Sequence, residues 1–344
     1  FPAVTGDRER CGNGKGRIMK KLSTILAAGV LAAPVAAHAQ SDECGEVSIT
    51  EMNWASAQVV TSVASFIMEQ GYGCDVSVVS CDTIPAVTSV AENGEPDIVT
   101  ELWLNSTGDT YDELRDAGKV VEAGDVLDPG GVEGWWIPTY LAEEHPELKT
   151  IEGILENPEL VDARFHNCPE GWGCRVVSDN LAEALDLEGN GIEVFNSGSG
   201  QVLATSMADA VLEEEPWFGY YWGPTVPLGK YDMTKVDLGE VKDDVHARNQ
   251  NADTDNPGVS DFPAAPIVTA TTASFQEENP QVFALMENMT FKTDNMSKVL
   301  AWKDENNASA EEAAVYYLTN FQDQWSNWLD DSARENLKSV LQDS

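Results

Sequence analysis

Between residues 57 and 70 the apolar side chains Val59, Val60, Val63, Ile67 and Met68 recur at three- and four-residue spacing, which predicts a helix closed by Gly71. β-branched runs flank it, Val47-Ser48-Ile49-Thr50 before and Val76-Ser77-Val78-Val79 after. A second helix is predicted over residues 84–93, followed by Pro96-Asp97-Ile98-Val99-Thr100-Glu101-Leu102 as a third strand. The order β-α-β-α-β predicts a parallel sheet with helices on its faces, and such sheets bind ligands beyond the carboxyl ends of their strands. Trp54 and Trp103 fall there. Residues 136–262 show their own strands, helices and Gly/Pro punctuation, and Ile267-Val268-Thr269-Ala270-Thr271-Thr272 reads as a strand before a helix near Phe275. The C-terminal aromatics Trp302, Tyr316, Tyr317, Phe321, Trp325 and Trp328 read as packing residues of a helical cap.

Composition adds a compartment. Met19-Lys20-Lys21, an apolar run over 22–35 and Ala37-His38-Ala39 before Gln40 make a secretory signal predicted at 19–39. Residues 1–18 precede this signal and are set aside with it, leaving roughly 305 residues, enough for two domains of ordinary size. The run is short for a membrane span, no other stretch approaches about 20 apolar residues, and no cysteine follows the cleavage site to carry a lipid. The expected location is the periplasm, without stable membrane insertion.

From Gln40 onward 14 basic and 57 acidic side chains remain, a net charge of −43. This surface repels nucleic acid and anionic membrane, and it suits a saline medium in which the Debye length falls to about 3 Å at 1 M. Five cysteines remain in an oxidising compartment. Cys168 and Cys174 are expected to pair across a tight loop holding two glycines. Cys44 and Cys74 each precede a predicted strand and come within bonding reach if those strands are parallel neighbours. Cys81 is then the odd thiol, expected as a small buried residue.

The segment Asn167-Cys168-Pro169-Glu170-Gly171-Trp172-Gly173-Cys174 is the most informative in the chain. With Leu102-Trp103-Leu104-Asn105 and Phe218-Gly219-Tyr220-Tyr221-Trp222-Gly223-Pro224, it resembles the periplasmic substrate-binding proteins of glycine betaine/choline-type ABC importers. The resemblance implies an α/β, two-lobed type II binding protein with its ligand in the cleft. It places one lobe over 40–134 and 265–344 and the other over 135–264. It also implies ABC permease and ATPase subunits as partners, a monomer, and no catalytic cofactor.

A trimethylammonium group donates no hydrogen bond, so it is recognised by the negative faces of aromatic rings. The family pattern carries Trp103, Trp172 and Trp222 into that cage, with Trp54 as the choline-type addition and Trp135 or Trp136, near the first crossing between lobes, as a further ring. Backbone N–H groups of Trp172, Gly173 and Cys174 are where relatives hold a betaine carboxylate. Glu133 stands beside the tryptophan pair, which resembles the marine trimethylamine N-oxide-binding members. A protonated Glu133 would donate to an oxide oxygen; an ionised one would accept the hydroxyl of choline; a residue at an exposed hinge would do neither. Trimethylamine N-oxide is the leading ligand, with glycine betaine and choline as alternatives.

Oxygen-bearing side chains at Asn251, Asp253 and Asp255, with Pro257 and Asp261 beyond, fit either a structural Ca²⁺ loop or a solvated polar loop. Two rivals remain. A secreted glycosidase would use stacked rings and paired acids, but no carboxylate pair is singled out. A sensory binding protein would share the fold and differ only in its membrane partner. The three histidines after the signal are isolated from one another and suggest neither a zinc site nor a triad.

Overall fold

The computed structural model describes Cys11 and residues 44–342; the signal at 19–39 lies outside the described residues. Strand β1 (Glu46–Met52) leads into the helix Ala55–Tyr72, and β2 (Asp75–Cys81) returns parallel to β1 with Val47 opposite Val76. The helix Thr83–Asn93 connects β2 to β3 (Ile98–Trp103), which pairs on the other side of β1. This is the predicted β-α-β-α-β unit, with β3 buried along its whole length in the middle of the sheet and β2 largely exposed at its edge.

The first helix runs through Gly71, contrary to expectation, and ends at Tyr72. Gly73 supplies the left-handed cap, at φ 72°. Gly71 instead faces the C-terminal helices, where a Cβ would meet the Ala333 Cβ at 3.5 Å, an ordinary packing distance. The C-terminal helices Ala310–Asn320 and Asp331–Gln342 cover the helix from outside, which is why Val60, Ala64 and Met68 are buried along with Val63 and Ile67. Tyr317 and Trp325 are fully buried in that cap, Trp302 stacks on Tyr316 at 4.2 Å, and both behave as packing residues.

After the helix Asp109–Asp116 come β4 (Val120–Asp125) and the two-residue β5 (Leu127–Asp128). The chain then enters a second sheet through β6 (Val132–Pro138), β7 (Arg164–Asn167), β8 (Glu193–Asn196), β9 (Gly219–Gly223) and β10 (Met233–Lys235). Glu133 and Gly134, expected at the end of the first lobe, are thus carried by the second sheet, opposite Trp222 and Tyr221. The chain returns in β11 (Ile267–Thr272), and β12 (Phe291–Lys292) pairs with β5.

The sheets have orders β2-β1-β3-β11-β4 and β8-β7-β9-β6-β10. Each has three parallel strands, then an antiparallel crossing strand, then an outer strand antiparallel to it. The two connections run side by side, with Gly131 bridged to Ala265. Among the described residues no helix is long and apolar enough to cross a membrane.

Cys44 bonds Cys74 and Cys168 bonds Cys174, as expected. Cys81, expected as the odd thiol once residues 1–39 are removed, bonds Cys11 in this chain, at a Cα separation of 4.9 Å.

Candidate ligand-binding site

Four indoles converge between the sheets, two from each side. Trp54 caps the helix Ala55–Tyr72 just after β1, and Trp172 caps the helix Gly173–Ala184 in the equivalent place after β7. Trp103 ends β3 and Trp222 lies near the end of β9, again in corresponding strands. Trp172 stands edge-on to both Trp54 and Trp222, with centroids 5.4 and 5.1 Å apart and interplanar angles of 73° and 86°. The four side chains are 5 to 8 % exposed, yet all line one cavity of about 30 Å³ together with Tyr220 and Glu133. A larger recess of about 480 Å³ adjoins it and shares the walls Trp54, Trp172 and Trp222.

Glycines set the close approaches. A Cβ on Gly200 would lie 2.7 Å from the Trp172 ring, and one on Gly131 would lie 2.4 Å from that of Trp103. Gly173 also lines the cavity and meets the opposite lobe so tightly that a Cβ would stand 1.8 Å from the Ser106 carbonyl oxygen. Trp172 Nε1 donates to Asn53 Oδ1 at 2.6 Å, a hydrogen bond across the cleft.

Two buried carboxyls flank the rings. Glu133, 2 % exposed, receives hydrogen bonds from Tyr220 Oη at 2.7 Å and Ser106 Oγ at 3.5 Å on Oε1, and from Asn105 Nδ2 at 3.2 Å on Oε2. Burial raises its pKa; the Tyr220, Asn105 and Ser106 donors and the Lys235 charge pull the other way. Asn105 also donates to the carbonyls of Pro263 and Ala264, tying the lobe that carries it to the second connection. Glu101 is fully buried, and its Oε1 accepts from Trp54 Nε1 at 2.6 Å, Ser56 Oγ at 2.7 Å and Trp103 Nε1 at 3.4 Å. Burial lifts its pKa to about 7 against the opposing effect of those three donors.

The structure thus brings Trp54, Trp103, Trp172, Trp222, Glu133 and Gly173 together and leaves Trp135 and Trp136 out. Trp135 is wholly buried in the second lobe, 4.2 Å from Phe165, and donates to Ser178. Trp136 points to the other face of β6 and donates to the Tyr221 carbonyl at 3.0 Å. The calcium alternative for the loop at 251–261 finds no support. Asn251 Oδ1 closes a turn onto Asp253 N, Asp261 pairs with Lys235 at 3.1 Å, and Asp253 and Asp255 are exposed. Asp253, Asp255 and Asp261 form no metal-holding cluster, nor do any three His, Cys, Asp or Glu among the described residues; Asn251 and Pro257 add no convergence.

Sequence reasoning missed Tyr220, Asn105, Ser106, Asn53 and Glu101. A signal existed for two of them: Glu101 is an acid inside an otherwise uncharged strand, and Tyr220 lies two residues from Trp222, on the same face of its strand.

Residues 45–320 match the family described as the substrate binding domain of ABC-type glycine betaine transport systems. No curated protein matches the chain. Among solved structures, an ABC-transporter choline binding protein in complex with choline aligns at 21 % identity and TM-score 0.70, covering 87 % of this chain and 98 % of that one. The glycine betaine/L-proline-binding protein of Borrelia burgdorferi aligns at 16 % identity and TM-score 0.69, covering 85 % and 99 %. Lactococcal OpuAC, closed on glycine betaine, aligns at 20 % identity and TM-score 0.67, covering 83 % and 100 %. The shared fold is the two-lobed type II periplasmic binding protein.

Proposed function

Because the chain belongs to the family of substrate-binding domains of ABC-type glycine betaine transport systems, we propose that it captures trimethylamine N-oxide between its lobes and delivers it to a membrane permease powered by ATPase subunits. The methyl groups pack against Trp54, Trp103, Trp172 and Trp222. Each ring contributes roughly 0.5–2 kcal/mol. Four give about 2–8 kcal/mol gross, against the roughly 8 kcal/mol that micromolar affinity represents, so exclusion of water on closure supplies the rest.

Glu133 carries the choice of ligand. It is a buried carboxyl with a raised pKa, lining the same cavity as the rings. Tyr220 and Ser106 donate to Oε1 and Asn105 to Oε2, so the donor that a protonated Glu133 offers the oxide oxygen is its own carboxyl proton. The ligand's nitrogen charge sits among the rings, and its oxygen takes the one proton that burial keeps in place.

A second reading, glycine betaine or choline in the same cage, is favoured by the helix Gly173–Ala184, whose first residues Gly173 and Cys174 line the cavity. N–H groups at a helix N-terminus suit a carboxylate. Choline and glycine betaine are also the ligands of two of the structural relatives. In either reading the protein breaks no covalent bond, as members of this family bind solutes. It works as a monomer in the periplasm, with lobes of residues 44–131 plus 265–342 and 132–264 closing about the paired connections.

Calorimetric titration at one high salt concentration, with trimethylamine N-oxide, glycine betaine and choline, tests the reading on the wild type and on Glu133→Gln and Glu133→Ala. The N-oxide binds the wild type most tightly, and the Gln variant loses less affinity than the Ala variant, because an amide still donates. Unchanged affinity in both variants would remove Glu133 from the site. Preference for betaine would put the helix N-terminus in charge, and silence from all three ligands would reopen the enzyme reading.

A further inference from the structure

Glu101 does not line the cavity, yet among the described residues it is the one group hydrogen-bonded to two of the four indoles. Those indoles come from different elements, Trp54 from the β1-to-helix junction and Trp103 from the end of β3. A buried indole N–H requires an acceptor, and where that acceptor sits decides the ring's rotation. Here one oxygen, Glu101 Oε1, serves both rings and also Ser56.

The backbone is shaped for this. Between Val99 and Leu102 the pairing of β3 with β11 shifts register, and Glu101 lies at φ 50°, a left-handed conformation that is strained for a non-glycine residue. The bulge breaks the in-out alternation of the strand and brings the carboxyl to the N-terminal turn of the helix Ala55–Tyr72, where Trp54 and Ser56 meet it. In the second lobe the corresponding ring, Trp172, is held by Asn53 of the first lobe, a bond that exists only when the lobes are together. The first lobe's rings are held by their own lobe.

We propose that Glu101 is a positioning residue that fixes Trp54 and Trp103 in the ligand-ready orientation before the lobes close. The proposal rests on the reading of the four indoles as a cage for a methylated ammonium group. Its acceptor oxygen, rather than its charge, does this. Glu101→Gln keeps a carbonyl oxygen in place for both indoles, whereas Glu101→Met fills the volume and accepts no such bond.

The experiment measures the affinity of full-length wild type, Glu101→Gln and Glu101→Met for trimethylamine N-oxide, glycine betaine and choline by calorimetry. It also records the near-ultraviolet circular dichroism of each ligand-free protein. For every ligand the wild type binds, the Gln variant stays within threefold and keeps the tryptophan dichroism, while the Met variant loses at least tenfold and part of that signal. If the Met chain does not fold, Glu101→Asp, which retracts the acceptor by one methylene, takes its place with the same expected loss. A Met or Asp variant that melts earlier but binds as tightly as the wild type would overturn the proposal, reducing Glu101 to a structural residue. Equal losses in the Gln and Met variants would overturn it by assigning the effect to charge. A wild type that binds none of the three ligands would overturn the cage reading and this proposal with it, a result distinct from wild-type binding that survives in the variants.

Discussion

The two lobes use the same frame and put different chemistry on it. In each, a tryptophan caps the helix after one parallel strand, and a second tryptophan sits near the end of the neighbouring central strand. In the first lobe a carboxyl from the central strand, Glu101, bonds both rings and stays out of the cavity. In the second lobe the carboxyl comes from the antiparallel crossing strand, is held by Tyr220, and lines the cavity. One lobe therefore spends its buried acid on orienting rings, and the other presents its acid to the polar end of the proposed ligand. A repeated fold supplies the places; which strand bears the acid decides its role.

Closing the lobes gives the largest expected effect. Gly173 sits against the Ser106 carbonyl of the other lobe, and Gly173→Ala would place its methyl carbon 1.8 Å from that oxygen. Alanine suits a first helical position, so the second lobe should fold unchanged. Affinity for the wild type's best ligand should fall at least a hundredfold, and small-angle scattering should show no compaction on adding it. Wild-type affinity would mean that this contact is not part of closure.

Removing rings sharpens the comparison at the next level. Trp172→Ala should cost at least tenfold, about 1.4 kcal/mol, because it deletes a ring and the cross-cleft bond to Asn53. Trp54→Ala deletes the equivalent ring of the other lobe without that bond, and should cost less. Titration of both variants decides it, and the reverse ranking would show that the rings do not differ in the way their bonds suggest.

The smallest effect concerns stability. The Glu101 pKa is raised from its ordinary 4.5 to about 7, so the folded protein holds this proton more tightly than the unfolded chain. Its contribution is fully present below pH 4.5 and is lost as the pH rises through about 7. The melting temperature of wild type relative to Glu101→Gln, whose amide does not titrate, should therefore fall across that window. A difference that rises with pH would contradict the protonated, buried state of Glu101.

The parallel unit of the first lobe was legible because hydrophobic spacing dictates it locally, and Trp54, Trp103, Trp172 and Trp222 were legible because they lie in short motifs. Trp135 and Trp136 were not separable by sequence. Trp135 follows Glu133 on the same face of β6, but two residues further along that face turns from the cleft into the core beside Phe165. The fate of the loop at 251–261 depended on Lys235, whose pairing with Asp261 no local pattern announces. Glu101 was hidden for a related reason: its role arises from a register shift between strands more than 160 residues apart in the chain. Cys81 was assigned without a partner because its partner, Cys11, lies upstream of the predicted signal.

A crystal structure of the protein grown with trimethylamine N-oxide tests the central claim most directly. The account predicts the nitrogen within about 6 Å of the ring centroids of Trp54, Trp103, Trp172 and Trp222, and the oxide oxygen within about 2.5–3.0 Å of the Glu133 carboxyl. A ligand bound elsewhere, or one held among the rings with its oxygen turned away from Glu133, would contradict it.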